Sequence, residues 1–206
     1  MYAVTTRWWL RLFYPSLIWQ IGGEEKIIYL TFDDGPHATA TPFVLDELKK
    51  YNAAATFFCI GNNVVSEKNI YDRIINEGHA VGNHTFNHLN GWKTNDSDYL
   101  KDVEVASTTI HSILFRPPYG RIKKSQIEKI KQQYQIIMWS VLSGDFDTNI
   151  SPQQCLNNVI KNANKGSIIV FHDSAKAFER LQFALPEALK YFADKGFQFK
   201  SLPIVK

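Results

Sequence analysis

Short apolar runs alternate with amphipathic stretches from residue 27 onward in this 206-residue chain. Apolar runs without a period of two are typical of parallel strands that are covered on both faces. The runs therefore predict strands, which cover residues 27–32, 54–60, 79–82, 113–115, 135–141, 167–171 and 197–200. The stretches between them predict helices, which cover residues 41–52, 64–77, 95–111, 124–133, 151–162 and 175–195.

Alternation of strands and helices over one domain-sized chain leaves two α/β architectures, an open doubly wound sheet or a barrel. No glycine-rich phosphate loop follows any predicted strand, which counts against a nucleotide-binding sheet. In a barrel, catalytic side chains gather at the carboxyl ends of the strands, so the positions of the polar residues test this architecture. Thr41 before Pro42 and Ser151 before Pro152 each have the pattern of a helix N-cap followed by proline at the first helical position.

The charge balance argues against a nucleic-acid partner. A formal net charge of +3 is far from the strongly basic composition of nucleic-acid-binding domains. The basic run within residues 116–131 is interpreted as a solvated helix face. Two cysteines, Cys59 and Cys155, are too few for a disulfide framework and fit a reduced cytoplasm.

Residues 1–25 form an apolar, aromatic-rich segment ahead of the predicted domain, which covers residues 26–206. Two arginines and a proline interrupt the segment, and no small-residue cleavage site follows a clean apolar core. The segment is also too short and too interrupted to span a bilayer. We therefore expect a cytoplasmic location and a segment that packs on the domain. The alternative is weak contact with a membrane surface through Trp8, Trp9 and Phe13; the oligomeric state stays open.

Carboxylates and histidines follow four of the predicted strands. Structural turns would scatter such residues over both edges of a sheet, whereas these all fall at the carboxyl-end edge. They are Asp33 and Asp34 in TFDDGP, His84 and His88 in GNHTFNH, Asp145 and Asp147 in SGDFD, and His172 and Asp173 in FHDS.

This set of side chains predicts a metal-dependent hydrolase. On a helix, two histidines four residues apart would lie on one face, which suits two ligands of one metal ion. Two histidines and one carboxylate hold a divalent ion and leave a position open for water. A second carboxylate can act as general base, and a histidine on the far side can protonate the leaving group. Adjacent side chains on an extended segment point in opposite directions, so Asp33 and Asp34 can have different roles.

A further segment, RPPYG, follows the predicted strand at residues 113–115. Its two prolines stiffen the loop, which would hold Arg116 and the backbone N–H of Tyr119 in fixed positions. The alternative interpretation of this segment is a rigid surface turn.

Five motifs in this order, TFDDGP, HTFNH, RPPYG, SGDFD and VFHDS, resemble those of the NodB-type polysaccharide deacetylases, also called carbohydrate esterase family four. The connecting segments ATFFCIG and GHAVGNH are similar as well, so the resemblance runs from about residue 27 to about residue 200. It implies a single-domain, distorted (β/α) barrel that is TIM-like but incomplete, with about seven parallel strands. It also implies removal of N-acetyl groups from an amino-sugar glycan, such as peptidoglycan or a chitin oligomer, with release of acetate.

The resemblance assigns roles by motif position. It implies one divalent metal ion, with zinc expected and cobalt or nickel as alternatives. The implied metal ligands are Asp34, His84 and His88. Asp33 would be the general base and His172 the general acid. Arg116 would orient Asp33, Tyr119 would donate its backbone N–H to the oxyanion, and Asp145 would support His172.

The fourth motif departs from the family pattern. The family commonly has Asp, two residues, Asp and Trp, whereas the aligned positions here are Leu142, Asp145 and Phe146. One acid is therefore missing and the aromatic wall is smaller, which bears on substrate fit. Three alternatives remain beside the N-deacetylase: an O-acetyl esterase, a small cyclic amide hydrolase, and a non-catalytic glycan-binding homologue.

Overall fold

Every strand pair in the sheet is parallel, as the continuous apolar runs predict. The computed structural model describes residues 2–204. Seven strands follow the order β5-β4-β3-β2-β1-β7-β6, and a short eighth strand pairs with the start of β1. The strands are β1 (Ile27–Asp33), β2 (Thr56–Cys59), β3 (Ala80–Asn83), β4 (Leu114–Phe115), β5 (Gln135–Ile136), β6 (Val141–Leu142), β7 (Ile168–His172) and β8 (Gln198–Phe199).

Eight helices connect the strands or flank them within the described residues. They are α1 (Trp8–Phe13), α2 (Ala40–Lys50), α3 (Gly61–Ser66), α4 (Lys68–Asn76), α5 (Asp96–Ser107), α6 (Lys124–Ile130), α7 (Pro152–Ile160) and α8 (Phe178–Asp194). The sheet curls into an incomplete barrel with the helices on its outside, which confirms the predicted fold class. No helix of the described part of the chain is long and apolar enough to cross a membrane.

Strand β1 shows why this sequence forms a sheet that is covered on both faces. All seven of its residues are buried. Its even-numbered side chains face the helices, and Phe32 stacks between Phe57 and Phe171 with ring centroids 5.0 and 6.1 Å away. Burying one such side chain contributes about 1.5–3 kcal/mol. Because side chains alternate along a strand, the odd-numbered Thr31 and Asp33 lie on the opposite, interior face.

Local signals set some of the element boundaries. Ser151 caps α7 by accepting a hydrogen bond from the N–H of Gln154, and Pro152 is the first helical residue, as predicted. The corresponding prediction for α2 is wrong by two residues: the helix begins at Ala40, so Pro42 lies third in its first turn. Proline is tolerated there because the first N–H groups of a helix have no partner within it.

Two predicted elements are divided in the structure. The helix predicted over residues 64–77 is two helices, α3 and α4, separated at Glu67, whose φ and ψ of −118° and 44° are not helical. The strand predicted over residues 135–141 is likewise two strands, β5 and β6, which form the two ends of the sheet. Residues 137–140 therefore bridge the gap at which the barrel is incomplete.

The amino-terminal segment covers both free edges of the sheet. Ile18 pairs in parallel with Ile137, next to β5, and Thr5 pairs antiparallel with Val141 in β6. A free strand edge leaves N–H and C=O groups without partners, so this pairing satisfies them. The aromatic side chains of the segment differ in exposure: Trp19 is buried, whereas 73% of Trp8 is exposed.

Candidate active site

The side chains that the sequence singles out meet at the carboxyl ends of the strands. Asp33 and His172 are the last residues of β1 and β7, which pair directly at these two positions. His84 and Arg116 follow the ends of β3 and β4, and Asp145 lies three residues beyond β6. Five strands therefore deliver these groups to one edge of the barrel, where such folds assemble their chemistry.

Arg116 is fully buried inside the barrel and fixes Asp33. Its Nη1 donates to Oδ1 of Asp33 and to Oγ1 of Thr31, both at 2.7 Å. Its Nε and Nη2 donate to the carbonyl oxygens of Ile137 and Met138, at 3.2 and 2.9 Å. The expectation that residues 116–131 form a solvated helix face is therefore wrong for Arg116, because this side chain is buried. Its full set of hydrogen-bond partners is what allows a charged group to be buried.

Asp34, His84 and His88 form a group that can hold one metal ion. One ligand atom from each lies within 4.8 Å of the other two, and Nε2 of His88 is 3.2 Å from Oδ1 of Asp34. Nδ1 of His84 is 2.8 Å from the carbonyl oxygen of Arg116. That carbonyl can only accept, so Nδ1 carries the proton and Nε2 keeps a lone pair for a metal.

The protonation states fit a cation site. Burial lowers the pKa of His84 to about 4, so its imidazole is neutral at pH 7. Burial would raise the pKa of Asp34, but the hydrogen bond from His88 and the charge of His172 hold it well below its usual range. A neutral imidazole and an ionised carboxylate are the forms that bind divalent metals.

The two histidines do not lie on a helix. Thr85 and His88 have φ values of 64° and 57°, which are not those of an α-helix, so residues 84–88 form a tight loop. The interpretation of the four-residue spacing as one helix face is therefore wrong. The loop places both imidazoles beside Asp34 in another way, with their ring centroids 5.1 Å apart.

His172 and Asp145 form the second titratable pair of the site. Oδ1 of Asp145 is 2.7 Å from Nδ1 of His172, and its Oδ2 accepts the backbone N–H of His172 at 2.6 Å. Burial lowers the pKa of His172, but the charge and hydrogen bond of Asp145, with the charges of Asp34 and Asp33, raise it to about 10. His172 is therefore a protonated imidazole that can give up a proton from Nε2.

Tyr119 closes the site on the side of His88. Its ring centroid is 4.6 Å from that of His88, and its backbone has a φ of 61° within the single 3₁₀ turn Pro118–Gly120. All of these side chains line or border a cleft of about 1550 Å³, larger than an ordinary small-molecule pocket. The cleft has room for several sugar units.

The comparisons with known proteins decide the family. A family model described as polysaccharide deacetylase matches residues 20–136. A peptidoglycan-N-acetylglucosamine deacetylase of Bacillus cereus is 36% identical in an alignment of 188 residues that covers 88% of this chain and 88% of that protein. The chain belongs to the polysaccharide deacetylase family.

Other relatives agree with this assignment. A peptidoglycan-N-acetylmuramic acid deacetylase of Bacillus subtilis is 32% identical in an alignment of 190 residues that covers 87% of this chain and 71% of that protein. Among solved structures, a peptidoglycan N-acetylglucosamine deacetylase in complex with 4-naphthalen-1-yl-N-oxidanyl-benzamide matches with a TM-score of 0.85 and 32% identity. That match covers 96% of this chain and 95% of the other. The resemblance that the five motifs indicate is confirmed.

In this polysaccharide deacetylase the altered fourth motif forms one wall of the cleft. Leu142 and Phe146 both line it, and the ring of Phe146 is 5.2 Å from that of His172. Behind Phe146 lies Tyr2, with ring centroids 4.9 Å apart and a hydrogen bond to Asp147. Tyr2 from the amino-terminal segment thus supports the smaller aromatic ring.

Asp173 has a supporting role that the sequence leaves open. Its carboxylate is fully buried and accepts hydrogen bonds from the N–H of Gly35, at 3.0 Å, and from the hydroxyl of Thr41. Burial raises its pKa to about 8, although the bond from Thr41 acts in the opposite direction. A Cβ at Gly35 would lie 2.0 Å from Oδ2 of Asp173, so the loop after Asp34 requires glycine there.

Asp102 holds the histidine loop and is absent from the sequence-based prediction. Its Oδ2 accepts the N–H groups of Phe86 and Asn87, each at 2.9 Å, and its Oδ1 accepts the side-chain amide of Asn87. It lies on the buried face of α5. A carboxylate on the apolar face of a predicted helix is the signal that could have found it, because a buried charge needs a partner.

Proposed function

We propose that this polysaccharide deacetylase hydrolyses the N-acetyl amide of N-acetylglucosamine units in peptidoglycan, releasing acetate and a free amino sugar. The observation that carries the proposal is the position of Asp34, His84 and His88 beside two opposed proton-transfer groups, Asp33 and His172. The peptidoglycan deacetylases of Bacillus cereus and Bacillus subtilis to which this chain is similar support the choice of an acetylated amino-sugar glycan.

A divalent ion bound by Asp34, His84 and His88 would polarise the acetyl carbonyl and lower the pKa of a water molecule. Asp33, held by Arg116, accepts the proton of the attacking water. The backbone N–H of Tyr119 donates a hydrogen bond to the carbonyl oxygen as negative charge develops on it.

His172 acts on the leaving group. Oδ1 of Asp145 accepts the hydrogen bond from the Nδ1–H group, so the Nε2–H group is directed away from Asp145. Transfer of this proton to the nitrogen lets the carbon–nitrogen bond break, with the amine and acetate as products. Asp33 thereby gains one proton and His172 loses one, and exchange with solvent restores both groups.

The ion that we propose is zinc. Two imidazoles and one carboxylate, with a further position left for water, are the ligand set of many catalytic zinc sites. Cobalt and nickel bind similar ligands, so elemental analysis of the purified protein distinguishes the three. A protein that retains none of them after purification and binds none on addition would contradict the proposed site.

Asp33→Asn tests the general base. Asparagine keeps the shape of Asp33 but cannot accept the proton, so we expect a loss of about 10²–10⁴-fold in kcat on N-acetylglucosamine oligomers. Bound metal should remain near the wild-type stoichiometry, because Asp34, His84 and His88 are unchanged. Turnover by this variant at the wild-type rate would show that Asp33 is not the base. Acetylated xylan and small amides, assayed in parallel, separate the N-deacetylase from the esterase and amide-hydrolase alternatives.

We also propose that α1 contacts a membrane surface. Trp8, Leu12 and Phe13 are exposed by 73%, 69% and 67%, and none of the residues of α1 is buried. Arg11 lies on the same helix and would attract anionic headgroups. A short helix with exposed aromatic side chains and a cation is typical of interfacial contact.

Sedimentation with phosphatidylglycerol vesicles tests this contact. Trp8→Ser with Phe13→Ser should weaken binding by about tenfold or more, since two large apolar side chains are lost from the interface. The matched control is Val65→Ser with Ile75→Ser, which changes two exposed apolar side chains elsewhere on the surface. Equal binding of both variants and the wild type would overturn the membrane contact.

A further inference from the structure

Four basic side chains line the cleft, and each comes from a different segment of the chain. They are Arg7 in the amino-terminal segment, Lys93 after β3, Arg121 after β4 and Lys176 after β7. All four are exposed to solvent. Three strand-end loops and the separate amino-terminal segment thus place positive charge around one opening.

None of these four cations has a carboxylate partner within 4.0 Å among residues 2–204. Hydrogen bonds from Asn149 and Tyr2 hold the carboxylate of Asp147 and lower its pKa, and the charge of Lys176 acts in the same direction. Several surface cations do form ion pairs on the outer helices, for example Lys68 with Asp72 in α4.

The acidic side chains of the cleft are already neutralised. Asp33 pairs with Arg116, and Asp145 behind the cleft pairs with His172. Asp34 belongs to the metal-ligand group. The surplus of charge in the cleft is therefore positive. In a concave site with low-dielectric walls, such a surplus concentrates anions and accelerates their association.

Arg121 is the most firmly positioned of the four. Its guanidinium lies over the ring of Trp92, with Cζ 5.2 Å from the centroid. Its backbone is fixed at both ends: its N–H donates to the carbonyl of Pro118 at 3.0 Å, and its own carbonyl accepts the N–H of Gly91 at 3.1 Å. A stacked guanidinium keeps its N–H groups free to bind a carboxylate with two parallel hydrogen bonds.

We propose that Arg7, Lys93, Arg121 and Lys176 bind carboxylate groups carried by the glycan next to the acetamido sugar. The substrate is then an acidic amino-sugar glycan, such as peptidoglycan with its lactyl ether and peptide carboxylates, and a neutral chitin oligomer is a poorer substrate. This inference rests on the proposed N-deacetylase function.

The test compares three probes of equal acetamido content. They are a chitin tetramer, a peptidoglycan tetrasaccharide with free peptide carboxylates, and the same tetrasaccharide with those carboxylates converted to methyl amides. For the wild type we expect kcat/KM on the probe with free carboxylates to be at least about tenfold higher than on either of the other two probes. That preference should shrink as NaCl rises, because salt screens exposed charges.

The variant Arg7→Gln/Lys93→Gln/Arg121→Gln/Lys176→Gln should lower the ratio of kcat/KM on the acidic probe to that on the chitin tetramer by at least about tenfold. The matched control, Lys49→Gln with Lys161→Gln, removes two exposed cations outside the cleft and should leave the ratio unchanged. A merely structural effect would lower both rates and keep the ratio.

Two outcomes overturn the inference and are distinct from failure of the proposed function. If the wild type treats the free and amidated probes alike, or if the quadruple variant keeps the wild-type ratio, carboxylates are not recognised. In both cases deacetylation of the chitin tetramer still supports the N-deacetylase. If none of the three probes loses acetate, the proposed function itself is wrong.

Discussion

Replacing Arg116 with methionine removes the charge partner of Asp33 while keeping an apolar stem of similar length. In the wild type this guanidinium is 0% exposed and makes four hydrogen bonds, two of them to carbonyl groups that bridge the ends of the sheet. Breaking a buried ion pair from one side costs about 3–5 kcal/mol, because the remaining charge is left without a partner. We expect Arg116→Met to lower the free energy of unfolding by this amount at pH 7.

A double-mutant cycle assigns the cost to the pair. Asp33→Asn removes the charge that Arg116→Met leaves unpaired, so the double variant should be more stable than the sum of the two single effects predicts. The expected coupling is about 2–3 kcal/mol. Urea denaturation followed by far-ultraviolet circular dichroism and by tryptophan fluorescence measures all four proteins.

Arg73→Met is the matched control. This arginine also pairs with two carboxylates, Asp46 and Glu77, but its side chain is 34% exposed. Exposed pairs contribute about 0–1 kcal/mol, so the control should change stability little. A cost for Arg116→Met no larger than that of the control, or a coupling near zero, would refute the view that Arg116 neutralises a buried charge.

Asp145→Asn should remove the charge that raises the pKa of His172, so the alkaline limb of the pH profile of kcat/KM should move to lower pH; an unmoved limb would show that another group sets it. His84→Ala should reduce the bound metal from one ion per chain to near zero in elemental analysis, whereas exposed His111→Ala should leave it unchanged. Burial lowers the pKa of His79 below its usual 6.5, and its Nδ1 accepts the N–H of Ala55. Its contribution to stability should therefore be present above about pH 6.5 and decline as the pH falls towards the lowered pKa, and His79→Gln should flatten that dependence in urea titrations.

The parallel barrel could be predicted because each strand is an almost uninterrupted apolar run. Strand β1 illustrates this: all seven residues of Ile27–Asp33 are buried, and its last residue delivers a carboxylate to the carboxyl-end edge. The division of residues 135–141 could not be predicted, because the break follows from tertiary contacts. The carbonyls of Ile137 and Met138 bind Arg116, and Met138 donates its N–H to Ile18, contacts that no local pattern encodes.

The residue types of the site and their spacing could be predicted from the sequence, but the backbone conformation that brings them together could not. The spacing of His84 and His88 indicated a shared target, but the loop between them depends on positive φ angles and on hydrogen bonds to Asp102, a residue in a different element. The burial of Arg116 also depends on tertiary structure. The composition of the basic run at residues 116–131 does not show which of its arginines and lysines is buried. The cytoplasmic location and the absence of a nucleic-acid partner stay predictions.

The amino-terminal segment is synthesised before the residues on which it packs. Thr6 donates its N–H to the carbonyl of Ser140 and its hydroxyl to that of Trp139, 133 residues further along the chain. Thr6 is synthesised before β6 but can reach its place only after β6 exists. Contacts of such long sequence separation form slowly. The wall of the cleft that Tyr2 and Arg7 contribute is thus expected to be completed after the hydrophobic core, so that during refolding the recovery of deacetylase activity should lag behind the recovery of helical signal.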